Sequence, residues 1–411
     1  MRTVQQLKAE IAKQNTVFEA PDATPSQKEA ALKELATLDA RVAQQGAVRL
    51  GYDRRCRALS AEEIASNEAE GLPSVVRLKM PTEGVTVVHD IIKGDIPYDN
   101  RTQDDQVLIK SDGFPTYFLA AAVDDHAMGI THIIRGDDWL SSAAKLVRVF
   151  EALGYDLPAM AHPPLILGPD KKKLSKRHGA TQFTDFIAQG YLPEALFNFL
   201  VLLGWSAGEE NRELFTVDEL VERFSLAGIS PNPAIFDYDK LRWMNGHYIR
   251  QASPERIIAL CVPYLVQAGL ISSPPTEEEM EYVRKVMPLE IERMKILSEV
   301  TELVGFFFQD LRYPAGYDEK AVRKWFGMDH IRPLLERELV VFGALPDWTA
   351  EALETATRTI AEELGVEFAK VIHPTRVAAT GRTIGPGLFE TLWALGRERT
   401  MIRLESVLKG I

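Results

Sequence analysis

Leu165-Ile-Leu-Gly-Pro-Asp-Lys-Lys-Lys-Leu-Ser-Lys-Arg-His-Gly-Ala180 passes from an apolar run through a turn into a dense basic segment. Leu165 to Leu167 has the composition of a short buried strand, and Gly168, Pro169 and Asp170 break it with turn chemistry. Five cations follow within seven residues: Lys171, Lys172, Lys173, Lys176 and Arg177. Gly179 frees the backbone again. A basic loop between two hinges is suited to closing over a polyanion, because ammonium and guanidinium groups pair with phosphate oxygens. Basic residues alone also fit a solvated charge run, so the flanking stretches must decide.

Upstream, Ser111-Asp-Gly-Phe-Pro-Thr-Tyr117 has turn composition, and Phe118 to Val123 is an apolar, helix-like run. Gly129-Ile-Thr-His-Ile-Ile-Arg-Gly136 predicts a buried strand ending in Arg135, and Asp137-Asp-Trp139 leads into a helix reaching Leu153. A buried strand followed by a helix predicts part of a parallel α/β sheet, where ligands bind beyond the carboxyl ends of strands. Arg135 and Asp138 sit at such an end. Arg135 fits a carboxylate ligand or a structural ion pair with Asp124 or Asp125 equally well.

Further upstream, Val75–Met80, Val85–His89 and residues 106–109 have strand composition, with Pro81 to Gly84 as a turn. Ser60-Ala-Glu-Glu63 is a capping box opening a short helix. Residues 1–47 predict a helical packing hairpin, whose second helix starts at Thr24-Pro-Ser-Gln27. Downstream, residues 181–250 predict short helices, one capped by Thr216-Val-Asp-Glu219 and one ending at Gly246. Residues 253–411 are amphipathic helix throughout, except for a glycine-rich loop with two arginines, Thr375 to Phe389.

With 411 residues the chain has room for two to four domains. Its 46% hydrophobic and 26% charged residues are those of a water-soluble globular protein. No apolar run approaches the ~18 residues of a membrane span, and the N-terminus lacks a signal-peptide core. Cys56 and Cys261 are too far apart for a zinc motif or a disulfide framework, which points to a reducing cytoplasm and no zinc. A net charge of −12 argues against unspecific nucleic-acid binding by the whole surface and leaves room for a local basic track.

Seven stretches, in order, resemble bacterial glutamyl-tRNA synthetase, a class I aminoacyl-tRNA synthetase. They are Tyr52–Arg57, Ser111–Tyr117, Val123–Arg135, the Lys173-Leu-Ser-Lys-Arg177 loop, Gly190–Leu196, Leu241–Gly246 and Thr380–Phe389. The resemblance implies an α/β plus all-α chain. Part of the class I nucleotide-binding fold with an α+β insertion is followed by a helical stem-contact region and an all-helical anticodon-binding domain. The expected boundaries are a hairpin over 1–47, an acceptor-binding insertion over 48–110, the C-terminal half of the nucleotide-binding fold over 111–165, a stem-contact region over 166–252 and the anticodon-binding domain over 253–411.

The resemblance also implies the roles. The activity is ATP-dependent activation of glutamate to glutamyl-adenylate and its transfer to tRNA(Glu), with ATP and Mg²⁺ as substrate and no membrane partner. A monomer is expected. Tyr117 and Arg135 match residues that hold glutamate. Asp138 matches an acidic position near the ATP ribose, and Ile166 a backbone contact to adenine. Lys173, Leu174, Ser175, Lys176 and Arg177 match the phosphate loop, with Lys176, seconded by Lys173, as the transition-state cation. Arg293 falls at an anticodon-reading arginine, and Arg382 lies in the glycine-rich loop expected to face tRNA. The family's His-x-Gly-His signature, with its strand, loop and helix, is absent. The chain as it stands is therefore expected to be truncated and not to charge tRNA alone, with a non-catalytic tRNA-binding module as the alternative.

Overall fold

The computed structural model describes residues 52–411 except 176, 178, 180, 181 and 209–211, together with Lys13, Thr24, Gln27, Ala30 and Glu34. The hairpin expected over 1–47 lies outside the described residues except at those five positions. Within it, the Gln27 side chain accepts the Thr24 amide at 2.9 Å and the Thr24 hydroxyl accepts the Gln27 amide at 3.3 Å, which is the capping box.

The chain divides into two compact units. The first runs to Leu165 and adds 204–208 and 225–234; the second holds 166–203, 209–224 and 235–411.

In the first unit, helix α1 (Ala61–Ala69) starts at Ser60 with the expected capping box. Strand β1 (Val76–Arg77) pairs antiparallel with β4 (Val107–Ile109). β2 (Val85–Asp90) and β3 (Gly94–Asp99) form an antiparallel hairpin, so the run 75–80 is not the partner of 85–89. Composition did not announce β3, Gly-Asp-Ile-Pro-Tyr-Asp. Its Pro97 is tolerated because β3 is the edge of the four-stranded order β3-β2-β6-β5, where no neighbour needs the missing N–H.

Helix α2 (Tyr117–Ala127) precedes β5 (His132–Ile134), and α3 (Ala143–Leu153) crosses to β6 (Ala159–Ala161), which runs parallel to both β5 and β2. This is the parallel arrangement expected around Arg135. The buried strand is shorter and half open, however. Ile133 is buried while His132 and Ile134 are exposed, the alternation of a strand covered on one face only. α3 buries Ala143, Ala144, Leu146, Val147, Val149 and Phe150 on one face, and Val88, Ile133, Met160 and Ala122 complete that core.

The second unit opens with β7 (Ile166–Leu167), followed by α4 (Phe183–Gln189), α5 (Pro193–Leu202), α6 (Val217–Arg223) and α7 (Tyr238–Gln251). Thr216 caps α6 as expected. Gly246 does not end α7. It lies buried inside the helix, where an added Cβ would stand 3.3 Å from the Met294 carbonyl oxygen, so glycine serves close packing there. The rest is helical: α8 (Pro254–Gln267), α9 (Glu277–Val286), α10 (Pro288–Ile291), α11 (Val300–Phe308), α12 (Glu319–Trp325), α13 (Ile331–Ala344), α14 (Ala350–Leu364), α15 (Ala369–Thr380), α16 (Leu388–Leu395) and α17 (Arg397–Gly410). The loop expected over 375–389 is shorter, since α15 continues to Thr380 and places Arg376 on a helix.

Gly190 joins the short helices to this region. At φ 88° it caps α4, and its carbonyl accepts the Leu297 amide at 3.0 Å. A Cβ there would lie 2.7 Å from the Leu297 Cβ. Gly190→Ala is expected to cost about 3 kcal/mol, from left-handed backbone strain plus overpacking. A urea midpoint unchanged from wild type would contradict this.

Candidate functional site

The residues singled out by sequence fall into three groups, each within one unit. The first surrounds Arg135. β5 delivers Arg135 at its carboxyl end, where its amide donates to the Ala161 carbonyl at 3.1 Å. Its Nη1 donates to the Tyr117 hydroxyl at 2.9 Å. Tyr117 is the first residue of α2, so a turn and a strand end meet here as the sequence implied. The partner of Arg135 is thus Tyr117, and no ion pair to Asp124 or Asp125 forms among the described residues. Trp139 was not anticipated. Its ring lies 5.1 Å below the guanidinium and 5.0 Å from the Tyr117 ring, so Arg135 rests on two aromatic faces. The Arg135 Nε is buried and has no partner among the described residues. The guanidinium is thus braced by Tyr117 and Trp139 at the carboxyl end of β5. Asp138 is exposed, and its carboxylate folds back over Gly136, where a Cβ would stand 2.9 Å from Oδ1.

The second group is the basic loop. β7 forms a small hairpin with residues 173–174. The Leu174 amide donates to the Ile166 carbonyl at 3.0 Å, and Gly168 donates to Lys172 at 2.8 Å. Lys171 takes φ 60° at the tip, a left-handed conformation unusual for a side-chain-bearing residue. Lys173 is exposed opposite Leu167, while Leu174 packs into the apolar cluster of Phe186, Phe199 and Phe236. Ser175 is half-buried, and Arg177 lies 3.6 Å from Asp170, closing the loop on itself. Lys176 lies outside the described residues.

The third group is at Glu290, on α10, which is buried at 1% exposure. Burial pushes its carboxyl up, and the charges of Arg293, Arg382 and Arg376 oppose this. Arg293 donates to Glu290 at 2.9 Å. Arg376 donates to the Pro386 carbonyl at 2.6 Å, and Arg382 to the Glu302 carbonyl at 2.7 Å while lying over the Phe306 ring. Of the two arginines named from sequence, Arg293 pairs with the Glu290 carboxylate, and Arg382 bears on it only through its charge. Glu290 was missed, because nothing in its local pattern separates it from other helical charges, and Arg376 was noted only as one of the two arginines of the glycine-rich loop.

Among the described residues, no cluster of three or more His, Cys, Asp or Glu is placed to hold a metal ion, and no helix is long and apolar enough to cross a membrane.

Comparison with known proteins agrees with this geometry. Residues 26–243 match the family of class I tRNA synthetases (E and Q), catalytic domain, and residues 256–408 match an anticodon binding domain. A glutamate–tRNA ligase of Moorella thermoacetica is 45% identical over 361 residues, covering 88% of this chain and 73% of that one. A glutamate–tRNA ligase of Caldanaerobacter subterraneus is 43% identical over 360 residues, with the same coverage. The crystal structure of a glutamate tRNA ligase from Elizabethkingia meningosepticum in complex with its amino acid superposes with a TM-score of 0.78. It is 30% identical and covers 99% of this chain and 82% of that one. With a catalytic-domain match, an anticodon-domain match and relatives at 43–45% identity over most of the chain, the chain belongs to the glutamate–tRNA ligase family of class I tRNA synthetases.

Proposed function

We propose that this chain carries the amino-acid half-site, the phosphate loop and the anticodon-contacting region of a glutamate–tRNA ligase. In the reaction, a glutamate carboxylate oxygen attacks the ATP α-phosphorus and pyrophosphate leaves. A terminal ribose hydroxyl of tRNA then takes the glutamyl group and AMP leaves. Little proton transfer is asked of the protein; alignment and positive charge are.

The observation that carries this reading is Arg135. Its guanidinium is fixed by the Tyr117 hydroxyl and by two rings, and its Nε is still unpartnered among the described residues. A glutamate carboxylate fits it bidentately. Asp138 is assigned to the ATP ribose and Ile166 to adenine through its backbone. Lys173, Leu174, Ser175, Lys176 and Arg177 are assigned to the phosphates. Magnesium arrives on the nucleotide and needs few protein ligands of its own. Arg293 and Arg382 are assigned to the anticodon arm. The boundaries 48–110, 111–165, 166–252 and 253–411 are kept as the functional divisions.

Two substitutions test this in a version of the chain extended upstream to include a His-x-Gly-His region. Lys176→Ala is expected to lower glutamate-dependent pyrophosphate exchange about 10²-fold, the scale of one preorganised transition-state contact, with glutamate affinity unmoved. Arg135→Ala is expected to raise the KM for glutamate and leave that for ATP in place. Wild-type exchange kinetics in both variants would refute the assignment.

A further inference from the structure

Asp90 closes β2 on its buried face and is tied on all sides. One carboxylate oxygen accepts the amides of Ile92 and Lys93 at 2.9 and 2.8 Å. The other lies 2.7 Å from His162 Nδ1, and both side chains are fully buried. Burial raises the Asp90 carboxyl. The His162 hydrogen bond and the two amides outweigh this and hold it below the usual range, so the group is ionised.

Two arms lead from this carboxylate to one loop. His162 sits between Ala161 and Pro163, whose carbonyls accept the amides of Arg135 and Asp137, each at 3.1 Å. Lys93, whose amide Asp90 holds, places Nζ 3.2 Å from the Asp137 carboxylate and 2.8 Å from the Pro231 carbonyl. The loop 135–138 is therefore gripped through its backbone by the strand end that His162 anchors, and through the Asp137 side chain by Lys93. Arg135 and Asp138 flank that grip. His162 Nε2 is buried without a partner among the described residues. An imidazole that leaves one nitrogen unsatisfied costs about 1–3 kcal/mol against an apolar filler, so filling space does not explain it.

We propose that Asp90 and His162 are positioning residues for the amino-acid half-site. Their buried pair sets the height and orientation of the loop that presents Arg135 and Asp138, directly along β6 and indirectly through Lys93 and Asp137. This rests on the reading of Arg135 as the glutamate-holding residue. A shift of about 1 Å in that guanidinium is enough to cost of order 10²-fold in a reaction that depends on alignment.

The test is amide hydrogen exchange of the whole chain, which needs no turnover, combined with glutamate kinetics in the same upstream-extended version. In His162→Leu and Asp90→Asn, the amides of Arg135 and Asp137 are expected to exchange about tenfold faster or more, with helix 143–153 unchanged. Lys93→Met removes only the outer arm and keeps the buried pair, so it remains informative if the core variants fold poorly. It is expected to loosen Asp137 more than Arg135. The KM for glutamate should rise about tenfold in each variant, that for ATP should rise with it to a smaller extent through Asp138, and Asp90→Glu should recover part of both losses. Unchanged exchange at Arg135 and Asp137 in all variants overturns the positioning role. Loosened amides with an unchanged KM for glutamate overturn it as well. If wild-type amides 135–137 gain no protection from saturating glutamate, the reading of Arg135 falls, and the proposal with it.

Discussion

Replacing Arg403 by alanine is expected to remove about 4 kcal/mol of stability from the helical region. Arg403 on α17 is 2% exposed and donates to three carbonyls: Ala379 at 2.6 Å, Phe306 at 2.7 Å and Gln309 at 2.9 Å. Ala379 is in the last turn of α15, and Phe306 and Gln309 are at the end of α11. The last carbonyls of a helix have no partner within it, so one planar fork completes two helix ends and places a cation at both negative termini. Burial pulls its pKa down to about 10, which leaves it protonated at neutral pH. Alanine would leave buried carbonyls unsatisfied and open a cavity, and each of these costs a few kcal/mol. Arg403→Lys supplies one nitrogen where a fork is needed and should fall between the two. Urea unfolding decides: an alanine variant within about 1 kcal/mol of wild type, the span of an ordinary surface change, refutes the role.

The helical C-terminal half was legible in the sequence because its apolar positions recur at helical spacing, and a helix needs only that local signal to be recognised. The capping boxes at Ser60 and Thr216 were legible for the same reason: four consecutive residues contain the whole interaction. The pairing of Tyr117 with Arg135 followed from the resemblance, not from the residues, whose pattern left Asp124 and Asp125 open as partners. What stayed hidden depends on neighbours distant in the chain. β3 contains a glycine and a proline and is a strand only because β2 lies beside it. Gly246 looks like a helix end and is a packing site, a difference decided by residues 294–295. Trp139 had no local mark of function, and Asp90 with His162, 72 positions apart, had none at all.

The same limit applies to Glu338, where a single charge among many controls how stability responds to pH. It lies on α13, is fully buried, and one carboxyl oxygen contacts the Thr375 hydroxyl. That hydroxyl also lies 2.7 Å from the Val371 carbonyl. The hydroxyl has one proton for two acceptors, the Val371 carbonyl and the Glu338 carboxyl, so both contacts are hydrogen bonds at once only when Glu338 carries a proton of its own. A neutral carboxyl fits this geometry. Burial agrees, pushing the group from 4.5 up to about 8 against the opposing Thr375 contact. Below pH 4.5 the folded and unfolded chains both hold this proton, and its contribution to stability is complete. As pH rises toward 8, the unfolded chain releases the proton and the folded chain keeps it. Stability therefore falls by about 1.4 kcal/mol per pH unit and levels off above the folded pKa. Glu338→Gln removes the titration at nearly constant volume. The gap between variant and wild type is expected to be near zero at pH 4 and to grow to about 4 kcal/mol in favour of glutamine at pH 8. Urea unfolding of both proteins at several pH values measures that gap directly. A gap that stays constant from pH 4 to 8 would mean that Glu338 is already ionised in the folded chain, and that Thr375 donates to it after all.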